Sequence, residues 1–209
     1  MNFNTHTHIQ RQGSVAIVNA EGMVEFPAYY SLGVHPWNAE KGIPNQWKEA
    51  LKASSCLALG EAGLDKLKGP DLELQKTCFI EQVHLSEELG LPIIIHCVKA
   101  WNELRAIKRV LKPQQTWIYH GFSKANLIKE VVQEGLMISI GEAILTNKKL
   151  QDKIAWLPLD HILVETDDSD LSIERIYEQV SELKDIPLPR LEKQIEENFK
   201  RVFTKWKIG

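Results

Sequence analysis

Pro92-Ile-Ile-Ile-His96 and Ile162-Leu-Val-Glu-Thr-Asp167 each run apolar for a few residues and then end in a side chain able to hold a metal. Runs this short, flanked by helical patterns and turn residues, read as buried strands of a parallel sheet. The same reading fits Asn2-Phe-Asn-Thr-His-Thr-His8, Cys56-Leu-Ala-Leu-Gly-Glu61 and Thr116-Trp-Ile-Tyr-His120. A barrel of parallel strands gathers its strand ends on one rim, where active sites are found. His6, His8, Glu61, His96, His120 and Asp167 are therefore expected in one pocket, Glu61 close to both His96 and Asp167. Four imidazoles and two carboxylates there describe a metal site.

Outward from these runs, apolar β-rich segments alternate with helical patterns, as βα units do. Strands are predicted near 2–6, 15–19, 29–34, 56–61, 92–96, 116–120, 136–140 and 162–166. Eight is the number a closed barrel requires, so the predicted class is α/β, a (β/α)8 TIM-barrel-like fold in one domain over 1–209. Leu74, Cys78, Phe79, Val83 and Leu85 recur at helical spacing between Asp71 and Leu89, and Gly90 reads as the terminating glycine. Trp101, Leu104, Ile107, Val110 and Leu111 mark a second helix, closed by Pro113. Ser123 is placed to cap a third, which carries Leu127 and Val131 and stops at Gly135. Leu191, Ile195, Asn198, Val202 and Trp206 outline a long amphipathic helix near the C-terminus.

The first forty residues break this alternation. Parallel neighbours normally need about a dozen residues or more between them. Between His8 and Gly33 there is room for one strand and its turns, so the first crossover helices are expected to be shortened or missing.

The formal charge of −3 supplies no basic footprint, so any nucleic-acid contact must be local. Met1-Asn-Phe-Asn-Thr-His lacks the basic and apolar regions of a secretory signal, and Leu91 to Ile95 is far too short to span a bilayer. Cys56, Cys78 and Cys97 form no C-x-x-C pair. Reduced thiols in a cytoplasmic protein, with no membrane partner, are the expectation.

His6 and His8 lie two apart on a strand, which points both side chains to one face and one ion. Glu61 offers two oxygens and suits a central position between two cations. Asp65 reads either as a group that orients a metal ligand or as the start of a turn. His84, within a helix, and His161, before a strand, read as structural histidines and serve as internal controls. Asp167, at the end of the last strand, reads as metal ligand and proton acceptor.

Taken in order, His6-Thr-His8, Gly33-Val-His-Pro36, Gly60-Glu-Ala-Gly-Leu-Asp65, Pro92-Ile-Ile-Ile-His96, His120-Gly-Phe-Ser123 and Glu165-Thr-Asp167 resemble the TatD family of metal-dependent hydrolases. Gln75, Phe79 and the ending Asn198-Phe-Lys-Arg-Val-Phe203 also sit where that family would have them. The resemblance implies a (β/α)8-type barrel, one or two divalent cations, and deoxyribonuclease or phosphoesterase activity. It assigns His6 and His8 to one cation, Glu61 to a bridging position, and His96 and His120 to the second. Asp167 matches the acidic ligand and base, and His35 a histidine that touches substrate. Two departures stand out. Val98 and Lys99 occupy the place where the family carries an arginine, leaving Lys99 as the phosphate contact. Asp168-Ser-Asp-Leu171 replaces the family's basic loop.

The leading expectation is thus hydrolysis of phosphodiester bonds, in DNA or a small molecule, by hydroxide formed near neutral pH. Imidazole and carboxylate ligands admit zinc, manganese or magnesium alike. An acidic rim at Asp168 and Asp170 suits an amide, ester or lactone instead, and a third reading is a non-catalytic binding protein. Outer strand surface left bare near the N-terminus would favour a homo-oligomer.

Overall fold

The structure is a computed structural model and describes residues 1–10 and 13–207. Eight strands form within a few residues of their predicted places: β1 (Asn2–Thr7), β2 (Ser14–Asn19), β3 (Tyr30–Leu32), β4 (Cys56–Asp65), β5 (Ile93–Val98), β6 (Trp117–Tyr119), β7 (Met137–Ile140) and β8 (Ile162–Val164). They are hydrogen-bonded in chain order in one sheet, which is the ordering of the (β/α)8 class. The helices are α1 (Trp47–Lys52), α2 (Leu72–Leu89), α3 (Trp101–Leu111), α4 (Ile128–Gln133), α5 (Ala143–Thr146), α6 (Lys148–Ile154), α7 (Ile173–Lys184) and α8 (Leu188–Val202). No helix lies between β1 and β2 or between β2 and β3 among the described residues, as the spacing predicts. No helix of the described residues is long and apolar enough to cross a membrane.

The described residues divide into two compact units, 1–10 and 13–18 with 119–204, and 19–118 with 205–207. In the first, α8 lays Leu191, Ile195, Phe199 and Val202 inward on one face, with Pro189 in its first turn. Phe199 meets Phe3 of β1 with ring centroids 4.6 Å apart. The Tyr177 hydroxyl of α7 donates to the Phe3 carbonyl and accepts from its N–H, each at 3.1 Å. Asn198 donates to the carbonyls of Leu159 and Ile162 at 2.7 and 2.8 Å, which seats the start of β8.

Two helix boundaries differ from expectation. The helix begun at Ser123 starts only at Ile128, after a single 3-10 turn at Ala125–Leu127. The Ser123 carbonyl accepts instead from Asn147, at 2.9 Å. Helix α8 ends at Val202, so Trp206 lies beyond it.

The second unit is built on β3, β4 and β5 with α1 to α3. Asp71 caps α2 by accepting from the N–H groups of Glu73 and Leu74, and Gly90 ends it in the left-handed conformation. From α2, Gln82 accepts from the Val34 N–H at 2.8 Å and donates to its carbonyl at 3.0 Å. This holds the segment that leads into His35. Strand β4 runs four residues past its predicted end at Glu61. Gly63 explains the difference: a Cβ there would lie 2.0 Å from the His96 carbonyl oxygen. Glycine lets the two backbones close, and β4 stays paired with β5 as far as Asp65.

Gly63→Ala is therefore expected to destabilise the fold by about 3 kcal/mol or more, since backbone rather than a flexible side chain blocks the added methyl. Denaturant unfolding followed by circular dichroism measures this, and an unchanged midpoint would contradict the close approach.

Candidate metal centre

In the first unit, β1 and β8 are joined by a set of reciprocal bonds. Asn4 donates to the Thr166 hydroxyl at 2.8 Å and accepts from the Thr166 N–H at 3.1 Å. The Asp167 N–H reaches the His6 carbonyl at 3.1 Å, and the His8 N–H reaches the Asp167 carbonyl at 3.0 Å. Asp167 itself adopts a left-handed φ of 53°, uncommon for a residue with a side chain. The outcome is convergence: Nε2 of His6 and Nε2 of His8 both lie 3.4 Å from Oδ1 of Asp167. His120 stands beside His6 with ring centroids 4.6 Å apart. Nδ1 of His120 is 3.6 Å from the fully buried Glu165, whose Oε1 also accepts from the Gly121 N–H.

In the second unit, Glu61 and Asp65 project from β4, where all ten residues are buried. His96 of β5 stands between them, with Nδ1 2.9 Å from Glu61 Oε1 and Nε2 3.1 Å from Asp65 Oδ2. His35, which follows β3, brings Nε2 to 3.3 Å from the same Glu61 oxygen. Glu21 holds this segment, accepting from the His35 N–H at 3.2 Å and from Asn38 at 3.0 Å. Asp65 accepts a 2.7 Å bond from the Trp37 indole N–H. Its other oxygen accepts from the N–H groups of Leu67 and Lys68, so Asp65 both steadies His96 and opens a turn.

Each unit thus holds two imidazoles and a carboxylate whose ligand atoms lie within 4.8 Å of one another: His6, His8 and Asp167 in one, His35, Glu61 and His96 in the other. The charges fit a cation. Asp65, Glu165 and Asp167 pair with imidazoles and, among the described residues, with no lysine or arginine. An imidazole compensates a carboxylate only when protonated, whereas a divalent cation does so wherever the carboxylate is ionised. Burial pushes the Asp167 carboxyl up. The His6 and His8 imidazoles beside its carboxylate and the charge of His120 outweigh this and hold it far below the usual 3.8. Asp65 is likewise raised by burial but lowered further by Trp37, the Leu67 N–H and His96, and ends below 3.8. Both stay anionic and able to bind a cation across the neutral range.

The model of the family described as TatD related DNase matches residues 5–204. The chain belongs to the TatD family. A TatD-type relative in Escherichia coli K12, the uncharacterized metal-dependent hydrolase YjjV, is 34% identical over 157 residues, spanning 70% of this chain and 60% of its own length. An uncharacterized metal-dependent hydrolase of Haemophilus influenzae is 30% identical over 202 residues, 84% of this chain and 77% of its own. The crystal structure of YjjV, a TatD homolog, superposes with a TM-score of 0.79 at 25% identity, over 97% of this chain and 98% of that one. By sequence the chain spans about three fifths of YjjV and three quarters of the Haemophilus relative; by superposition it spans nearly all of YjjV.

Of the residues singled out by TatD resemblance, His6, His8, His120 and Asp167 assemble in one unit, and Glu61 and His96 in the other. His35, expected against substrate, lies within the Glu61 and His96 cluster. Lys99 is exposed just past β5, with a left-handed φ of 52°. The two controls stay apart: His84 is exposed on α2, and His161 pairs with Asp160 at 3.1 Å. Sequence reasoning missed Glu165 and Trp37. Glu165 carried the signal used for Glu61, an acid directly after an apolar strand. Trp37 carried none.

Because the folded-state pKa of Asp65 lies below 3.8, its contribution to stability is present above that pH and is lost as pH falls through the folded value. Metal-stripped Asp65→Asn is thus expected to unfold at lower denaturant concentration than the parent at neutral pH, with the gap closing as pH falls below 3.8. Denaturation midpoints across pH test this; a gap that widens in acid would contradict the pairing.

Proposed function

We propose that this TatD-family chain is a divalent-metal-dependent hydrolase that cleaves phosphodiester bonds, in DNA or a smaller molecule. The observation that carries the reading is the convergence of two imidazole nitrogens on one Asp167 oxygen, which among the described residues pairs with no lysine or arginine. The family description, TatD related DNase, supports the choice of bond.

In this reading His6, His8 and Asp167, with His120 beside them, hold one cation, and Glu61 and His96, with His35, hold another. A bound divalent cation supplies Lewis acidity and activates water near neutral pH. The protein's own groups do the rest. Asp65 fixes the ring of His96, as a carboxylate behind a ligating imidazole commonly does, and Glu165 stands 3.6 Å from the His120 ring. Asp167 serves as ligand and takes the proton of the attacking water. Lys99, exposed just past the end of β5, pairs with the phosphate.

Exposed Asp168 and Asp170 beyond β8 set a like-signed rim that keeps a carboxylic ester or lactone as the second reading. Turnover of an activated phosphodiester against an activated carboxylic ester by manganese- or zinc-reconstituted protein separates them, and preference for the carboxylic ester would overturn the first.

Chelation followed by desalting is expected to abolish turnover, and added manganese or zinc to restore it. Asp167→Asn should lower kcat by about 10²- to 10⁴-fold. His84→Ala should stay within about twofold, as an exposed substitution outside the site usually does. Elemental analysis accompanies each variant: full turnover by a cation-loaded Asp167→Asn would remove its role as base, and failure of the parent to take up any cation would end the metal reading.

A further inference from the structure

The loop that follows β4 is pinned more firmly than an exposed turn requires. Gln75, buried in α2, accepts from the Asp65 N–H at 2.7 Å and places its amide nitrogen 2.9, 3.2 and 2.8 Å from the carbonyls of Asp65, Lys68 and Pro70. Gly69, at φ 93°, allows the loop to press on the segment after His35, since a Cβ there would lie 2.9 Å from the Pro36 carbonyl oxygen and the Trp37 Cα.

This framework presents Lys68 and Trp37. The Lys68 ammonium lies 3.3 Å from the centroid of the Trp37 ring. Lys66 is engaged by Glu103 at 2.6 Å, whereas Lys68 pairs with no carboxylate among the described residues. Trp37 is 39% exposed, although its ring packs edgewise on His35, with centroids 4.5 Å apart, and on His96, at 5.9 Å. Its N–H is bonded to the carboxylate that steadies His96. A partly exposed indole covered by a cation that pairs with no carboxylate among the described residues thus stands directly against a candidate metal cluster.

We propose that Trp37 and Lys68 form a substrate subsite for a flat aromatic group carried on a phosphate, the indole stacking on the ring and Lys68 pairing with the phosphate oxygens. The inference rests on the phosphodiester reading. An exposed cation–π contact is weaker than stacking of an aromatic ring on an indole. The ligand therefore displaces Lys68 from the ring face, and the ammonium gains an anion in exchange.

Two activated diesters with the same leaving group separate the contributions: bis(p-nitrophenyl) phosphate, which keeps a second ring, and methyl p-nitrophenyl phosphate, which does not. Trp37→Leu in the manganese-loaded chain is expected to raise KM about tenfold for the first ester and less than about twofold for the second, with Trp37→Phe restoring most of the loss. Lys68→Gln should raise KM for both esters by about three- to tenfold, the scale of a single net hydrogen bond in water. Equal losses for Trp37→Phe and Trp37→Leu would place the effect in the missing bond to Asp65 and overturn the subsite, as would no change in any variant. Calorimetric titration with adenosine 5′-phosphate and ribose 5-phosphate provides a readout that needs no turnover. Preference for the nucleotide, retained by Trp37→Phe and lost by Trp37→Leu, supports the subsite even if no phosphodiester is hydrolysed, and that result would overturn the phosphodiester reading alone. Equal affinity of the parent for both ligands would overturn the subsite.

Discussion

An ionised carboxylate taken out of water is costly unless charge and hydrogen bonds compensate it. Strand β4 accepts that constraint twice, with Glu61 and Asp65 among ten consecutive buried residues. Much of the second unit follows from meeting it. His96 comes from β5 to stand between the two acids, and Gly63 is bare so that β5 can close against β4 there. Trp37 and the turn at Leu67 and Lys68 supply the remaining donors to Asp65. Removing Asp65 would leave the Trp37 indole N–H and the N–H groups of Leu67 and Lys68 without this acceptor.

The first unit meets the same constraint by different means. Here the acids sit at and beyond the end of β8, and the backbone does most of the positioning. The Asn4 and Thr166 exchange locks two strand ends in register, and the left-handed turn at Asp167 swings its carboxylate back towards His6 and His8. A residue with a side chain in that conformation costs of order 1 kcal/mol or more. The bonds around it, from His6, His8 and Thr7 to the 166–167 backbone, over-determine the geometry and hold it there. Rigidity of this kind suits a centre that must present several ligands at once, because little order is then left to impose when a cation arrives.

The short N-terminal region leaves this chemistry intact. The ends of β1, β4, β5 and β8, which carry the candidate ligands, are present, while the short connections are those that follow β1 and β2. Nearly all of a solved TatD homolog is nonetheless spanned by this chain. Crossover helices cover strands, whereas strand ends carry the functional side chains, so the two can change separately.

Strands β4 to β8 were legible in the sequence because each holds a short apolar run between helical patterns, and burial on both faces leaves that composition little latitude. The six candidate ligands could be picked out for a related reason: one histidine or acid at the end of such a run is more often structural, but five runs that repeat the pattern point to a shared cluster. Helix boundaries at Ser123 and Trp206 were misread because capping and termination depend on tertiary partners, and the bond from Asn147 takes the Ser123 carbonyl away. Only the folded chain decided that His35 joins Glu61 and His96, that Glu165 backs His120, and that Trp37 binds Asp65 beneath Lys68. Each of those contacts joins segments well apart along the chain, and neither periodicity nor spacing encodes which side chains will meet once separate strands lie side by side.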